Sequence, residues 1–405
     1  MTRTVYSGGT VFDGTGASPA RADVVVESGR ILDVGVGLDG DEVVDCTGTT
    51  VLPGLFDCHV HVTMSTIDPL AIVRRPFSLQ FYEAAENLRR TLAVGVTSVR
   101  DAGGADLGIQ TAQATGLVAG PRMRIAISML SQTGGHGDDW EVAGCHVPMF
   151  VAHPGRPSGL VDGPEQMRRK VRELIRAGAD VIKVATSGGV LSPRDDPRHG
   201  HFRDAEIAVL VEEATAAGIF VMAHAQATEG IKVAIRNGVR SIEHGIYLDD
   251  EAIAMMLDRG TWLVPTLVAP RGVIEAAEAG MGLPPEVVAK ARLVMEQHTD
   301  SVRRAIAAGV RVAMGTDSGV TPHGQNLREL PLMADCGMTP EQVLHATTLS
   351  AARLLGVADE LGSLEPGKRA DLVVVDGDAL ALDNLDRRVH AVYQDGRLVA
   401  GTPLP

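Results

Sequence analysis

Between residues 55 and 317 the chain alternates short runs of β-branched residues with longer stretches of helical apolar spacing. That alternation restricts the fold more than any other feature. Strands are expected at 55–62, 97–101, 124–131, 180–186, 219–225, 241–244, 262–267 and 310–317. Between them, 164–177, 204–217 and 285–308 carry helical periodicity and helix-start residues. Eight strands alternating with helices over roughly 260 residues match an α/β fold of the (β/α)8 TIM-barrel type in count and length. An open doubly wound sheet would place Gly-x-Gly-x-x-Gly after its first strand, and no such motif follows residue 62.

The flanks read differently. Short strand-like runs broken by Gly and Asp occupy 11–46, and similar runs with Asp-Gly turns recur at 370–377 and 390–399. The expected organisation is therefore a composite β-sandwich domain, 1–52 plus 361–405, on a barrel of 53–360. A net charge of −14 argues against nucleic acid or an anionic membrane surface as partner. No run is apolar for long enough to span a bilayer, and the first residues lack a signal-peptide pattern. Cys46, Cys58, Cys145 and Cys336 follow neither finger nor disulfide spacing. A cytoplasmic homo-oligomer with reduced thiols, acting on a small molecule, is expected.

His59-Val60-His61 ends the first strand, and residues two apart on a strand share a face, so both imidazoles can grip one metal ion. Lys183 falls on the fourth strand, while His224, His244 and Asp317 close the fifth, sixth and eighth. All six lie near strand carboxyl ends, where barrel enzymes build their sites. Two long loops leave the same face, 132–163 and 187–203, the first holding Gly134-Gly-His136-Gly-Asp138.

These residues, with Pro53-Gly-Leu-Phe-Asp-Cys-His59-Val-His61 and Gly315-Thr-Asp317, resemble the amidohydrolase superfamily over nearly the whole chain. The segments 133–138, 182–192 and 243–249 resemble its Xaa-Pro dipeptidase (prolidase)-like branch, which includes carboxypeptidases releasing C-terminal Arg or Lys. The resemblance implies a binuclear centre of two divalent ions, Zn²⁺. One is held by His59, His61 and Asp317, the other by His224 and His244. Lys183, carboxylated by CO2, bridges them. It further implies that Asp317 relays a proton from a shared, metal-acidified water to the leaving amine. Deaminase members commonly use one metal and lack the lysine, so Lys183 points to hydrolysis of a dipeptide or N-acyl amino acid. A carbamate, urea, lactone or organophosphate ester is the alternative on the same site. A non-enzymatic scaffold would be expected to have lost ligands, and none is missing here.

Related dipeptidases use a His and a Tyr from motifs matching His136 and Tyr247, so both are expected at the substrate, Tyr247 against the scissile carbonyl or a carboxylate. A substrate carboxylate wants a cation, for which Arg203 and Arg328 are candidates, and His323 lies in a loop at the same end. His298 and His345 read as ordinary helix residues. Gln226 stands where relatives often carry a second histidine, a departure expected to change pocket polarity.

Overall fold

The structure is a computed structural model that describes residues 2–141, 143–192 and 194–404. Its centre is a barrel of parallel strands. Leu55–Val60, Val96–Asp101 and Arg122–Ile125 pair in order, as do Met129–Leu130, Val181–Ala185, Phe220–Ala225, Ser241–His244 and Trp262–Val264. Helices pack outside, and several start as their sequences dictate. Pro164 and Pro285 occupy first-turn positions where a missing N–H goes unnoticed, and Thr339 with Gln342 forms a capping box.

Three expected strands need correction. The third is broken: Arg122–Ile125 pairs with the second strand and Met129–Leu130 with the fourth. The cause is Ile127, a β-branched residue held at φ 67°, which turns the chain between the two pieces. The seventh ends at Val264 rather than 267, ahead of Thr266 at φ 53°. The eighth, expected at 310–317, is no regular strand. It closes the barrel through isolated bridges, Leu263 to Val312 and Val60 to Ser318. Backbone bonds from Cys58 N–H to Met314 O (2.9 Å) and from Asp317 N–H to His59 O (2.7 Å) complete the seam. Gly315 permits that close approach, because a Cβ there would sit 2.4 Å from Val264 Cγ1.

Beside the barrel, Arg3–Ser7, Asp23–Glu27, Arg30–Gly35 and Glu42–Asp45 form one sheet. A second, six-stranded sheet joins the chain's two ends: Thr49–Pro53 pairs antiparallel with Leu372–Asp376, whose other neighbour is Val389–Gln394. The sheets face each other across Tyr6, Val24, Val26 and Ile31 on one side and Val51, Leu372, Val374 and Tyr393 on the other. Strand alternation sends Val373, Val375 and Val392 to the opposite face, into the barrel's apolar core. Arg122 fastens the two parts, donating to Asp371 (2.7 Å) and Asp395 (2.8 Å). No helix among the described residues is long and apolar enough to cross a membrane.

Candidate metal centre

The strand ends bring the six candidate ligands together under one cavity of about 690 Å³. Asp317 Oδ1 lies 3.4 Å from His59 Nε2 and 3.2 Å from His61 Nε2. Lys183 Nζ lies 3.4 Å from His59 Nε2. The rings of His59 and His244 are 5.1 Å apart, and those of His224 and His244 4.6 Å. Ligand atoms of His59, His244 and Asp317 fall within 4.8 Å of one another. That tightest set joins residues of both expected shells.

Each imidazole spends one nitrogen outside the cluster. His59 Nδ1 donates to Glu243 Oε2 (2.9 Å), His61 Nδ1 to Gly103 O (2.7 Å) and His224 Nε2 to Gly188 O (3.1 Å). His244 Nδ1 donates to Thr266 Oγ1 (2.7 Å), whose own hydroxyl proton goes to Pro265 O (2.6 Å). Carbonyls and carboxylates only accept, so these bonds put a proton on the outer nitrogen of each ring and leave the other nitrogen as the one available to a metal. Such outer bonds are how proteins orient imidazole for a metal. The donor set therefore fits a divalent cation.

Burial holds His59, His224 and His244 well below the ordinary imidazole value, which favours the neutral, ligating form, whereas at His61 burial is outweighed by the hydrogen bond and charge of Asp317, which raise it. Burial alone would raise the Asp317 carboxyl. The neighbouring His59 and His61 imidazoles and the Lys183 ammonium overrule it and keep it ionised. Burial pushes the Lys183 ammonium down to about 8, against the pull of Glu243 and Asp317.

The backbone is bent to make this arrangement. Glu243 and His244 are adjacent, and a regular strand would send them to opposite faces. His244 sits at φ 72°, breaking the alternation, so both side chains reach the centre; Asp317 sits at φ 61°. Non-glycine residues in that region are strained, and such strain concentrates at functional sites. Glu243 was not among the residues singled out from sequence, nor was Arg100, which donates to Glu243 Oε1 at 2.9 Å. Asp57 was also missed. It accepts from Thr316 Oγ1 (2.6 Å) and Asn326 Nδ2 (2.8 Å), tying the first strand to the segment carrying Asp317. Their only sequence signal is a charge inside an otherwise apolar strand.

The substrate candidates divide. His136 lines the cavity, stacked on His224 at 4.1 Å and 18°, with Nδ1 2.7 Å from Ser192 Oγ. Gln226 lines it too, with a buried Oε1 that has no partner among the described residues. Tyr247, Arg203 and His323 do not. Tyr247 is half-buried against an apolar cluster beside Arg198 and Asp196. Arg203 donates to Phe202 O at the start of the helix Asp204–Ala216. His323 is buried, its Nε2 on His61 O (3.1 Å) and its Nδ1 facing Thr91 Oγ1 (3.4 Å), which leaves no atom for a ligand. Arg328 pairs with Glu275 at 2.6 Å. His345 bonds Gly14 O at 2.8 Å. His298, read as an ordinary helix residue, lines the cavity and holds the carbonyls of His244 (3.0 Å) and Pro265 (2.8 Å).

The family model of the amidohydrolase family matches residues 50–399. The chain belongs to the amidohydrolase family. It is a hydrolase acting on amide or peptide bonds, and its structural neighbours place it with the prolidase-like members. It is 33% identical to ochratoxinase of Aspergillus niger over 98% of this chain and 87% of that protein. A crystal structure of a prolidase complexed with N-methylphosphonate-L-proline superimposes with a TM-score of 0.90, 36% identity and 100% coverage of both chains. A Xaa-Pro dipeptidase crystallised with methionine in its active site matches with a TM-score of 0.89 and 33% identity, over 98% of this chain and 99% of that one.

Proposed function

We propose that this amidohydrolase is binuclear and cleaves the amide bond of a dipeptide or an N-acyl amino acid. The observation that carries the reading is the set of four imidazoles, each with its outer N–H committed, converging with Asp317 on a fully buried Lys183. His59, His61 and Asp317 would hold one ion, His224 and His244 the other, with Lys183 between them. Two bound divalent ions, Zn²⁺ by the nitrogen-rich donor set, would supply Lewis acidity and an acidified water.

The chain's own residues set up the rest. A buried amine pushed down to about 8 has a substantial neutral fraction near neutrality. Its Nζ lone pair forms a bond to the carbon of CO2 and the nitrogen loses one proton, giving a carbamate anion that two cations can share. Asp317, held ionised, is the acceptor for a water proton and its later donor to the departing amine nitrogen. His136, stacked over His224 and held by its Nδ1 on Ser192, would pack against a bound substrate. The relatives that carry a proline phosphonate and a free methionine support an amino-acid product here.

The test is turnover by the zinc-loaded chain, with bicarbonate, across dipeptides and N-acyl amino acids, alongside metal analysis. Hydrolysis with two metals per chain is expected. Bound metal without turnover of any member would overturn the substrate reading, and full activity with one metal per chain would overturn the binuclear one.

A further inference from the structure

The other end of the barrel, where the strands begin, holds a second cavity of about 1110 Å³. It opens beside the starts of Phe220–Ala225, Ser241–His244 and Trp262–Val264 and beside the segment that enters the eighth strand. Arg240, Arg259, Arg311 and Arg353 line it, and no Asp or Glu among the described residues does. In a chain of net charge −14, a cavity lined by cations alone runs against the charge of the whole.

Backbone pairing sets these arginines side by side. Trp262 N–H donates to Arg240 O (3.0 Å) and Leu263 N–H to Arg311 O (2.8 Å), so Arg240, Trp262 and Arg311 stand at neighbouring strand starts. Arg240 donates through Nε to Leu354 O (2.8 Å) and through a terminal nitrogen to Arg353 O (2.7 Å), which brings the last turn of the helix Leu349–Leu355 to the same place. Its guanidinium lies 3.8 Å from the centre of the Phe220 ring, and that of Arg311 lies 5.6 Å from the Trp262 ring. A guanidinium stacked on a ring is held by its face and keeps its edge for a ligand. Arg311 and Arg353 have no carboxylate within ion-pair distance among the described residues, whereas Arg259 has only its exposed neighbour Asp258 at 3.4 Å. Burial, then the like charges of Arg100 and Arg311, draw Arg240 below the ordinary guanidinium value. A bound anion would offset that repulsion.

Several guanidiniums around one cavity suit a ligand with more than one negative charge and acceptor oxygens on several sides. Phosphoryl groups supply both, and their oxygens match the guanidinium fork. The cavity has room for far more than one orthophosphate, and Val239, Ile306 and Met338 give it an apolar wall for an organic body. We propose that the floor of the barrel binds a small organic molecule carrying two phosphoryl groups, gripped by Arg240, Arg311 and Arg353. This site is separate from the metal centre and lies at the opposite ends of the strands that carry His244 and Asp317.

The test is calorimetry on the zinc-loaded chain at about 0.1 M salt, with fructose 1,6-bisphosphate as probe and tricarballylate as a carboxylate of comparable charge. Arg311→Gln and Arg353→Gln change exposed side chains at the floor, and Arg176→Gln changes an exposed arginine on the helix Pro164–Arg176. We expect one bisphosphate bound per chain, weakened about 10- to 100-fold by either floor variant and less than about 2-fold by Arg176→Gln. Tricarballylate should bind at least about 10-fold more weakly than the bisphosphate. The absence of saturable binding to wild type would overturn the proposal. Binding that both floor variants leave intact would also overturn it, since the ester would then sit elsewhere, the metal centre included. Tricarballylate bound as tightly as the bisphosphate would sink the phosphoryl assignment. A changed sedimentation of Arg311→Gln, with wild type indifferent to the bisphosphate, would give the floor to an acidic surface of a second copy instead.

Discussion

The base of the cavity and its rim are built on opposite plans. At the base, every imidazole is held from behind by a carboxylate, a carbonyl or a threonine hydroxyl, and the side chains are buried on strand ends. At the rim, Arg194 and Trp140 are exposed and lean on each other, and the loop beneath them is held through one lysine. The difference separates two jobs. Under the proposed function, strands would fix the reacting geometry and loops that can change without disturbing it would select the substrate.

The sharpest way to break that comparison is at the base. Asp317→Asn would remove the proposed proton acceptor and a proposed ligand together, and kcat should fall by at least about 10³-fold in a steady-state assay. Survival of activity would mean that base and rim do not divide the labour as described. Next comes Lys183→Ala. Activity should collapse and return in part on adding short carboxylic acids, which can replace a carbamate; intact-protein mass should show the CO2 adduct in wild type alone.

Glu243→Gln should have a smaller effect, about 10- to 100-fold weaker metal binding by competition with a chelator, because the His59 ring loses its anionic anchor. At the rim, Lys290→Met should weaken loop anchoring by about 2 kcal/mol, read as faster proteolytic nicking within 187–203 while the metal content stays intact. Acid offers the mildest probe of the same clamp. Burial opposes ionisation of Asp195, but His136, Ser192 and Lys290 prevail and hold its carboxyl at about 2 against an ordinary 3.8. A depressed value means that the clamp's contribution is present above 3.8 and is lost as pH falls through about 2. Nicking should therefore accelerate over that window in wild type and show no such step in Asp195→Asn.

The base was far more legible in sequence than the rim. Candidate ligands at strand ends announce themselves because alternation and barrel topology leave few places for His59, His61, Lys183, His224, His244 and Asp317 to point. Glu243 was hidden by the same logic. Regular alternation puts it on the face opposite His244, and only the left-handed turn at His244 brings both inward. The eighth strand was visible as an apolar run, yet sequence spacing carries no trace of the seam made through isolated bridges. Arg203 and His323 were drawn from loops by residue type and proximity in sequence, and Tyr247 from a motif shared with related dipeptidases. Loop conformation depends on long-range contacts such as those of Lys290, some hundred residues from the segment it holds, and residue type does not encode them.

The shared sheet of the two chain ends bears on how this protein is made. Thr50 donates to Gly377 O across 327 residues of sequence, and Thr49–Pro53 relies on Leu372–Asp376 for one of its edges. During synthesis the first strands leave the ribosome long before their partners exist, with Tyr6, Val24 and Val26 bare to whatever is nearby. A segment translated more than 300 residues ahead of its partners is thus among the last to be buried, and a growing chain of this protein would be a natural client for chaperones that shield apolar surface.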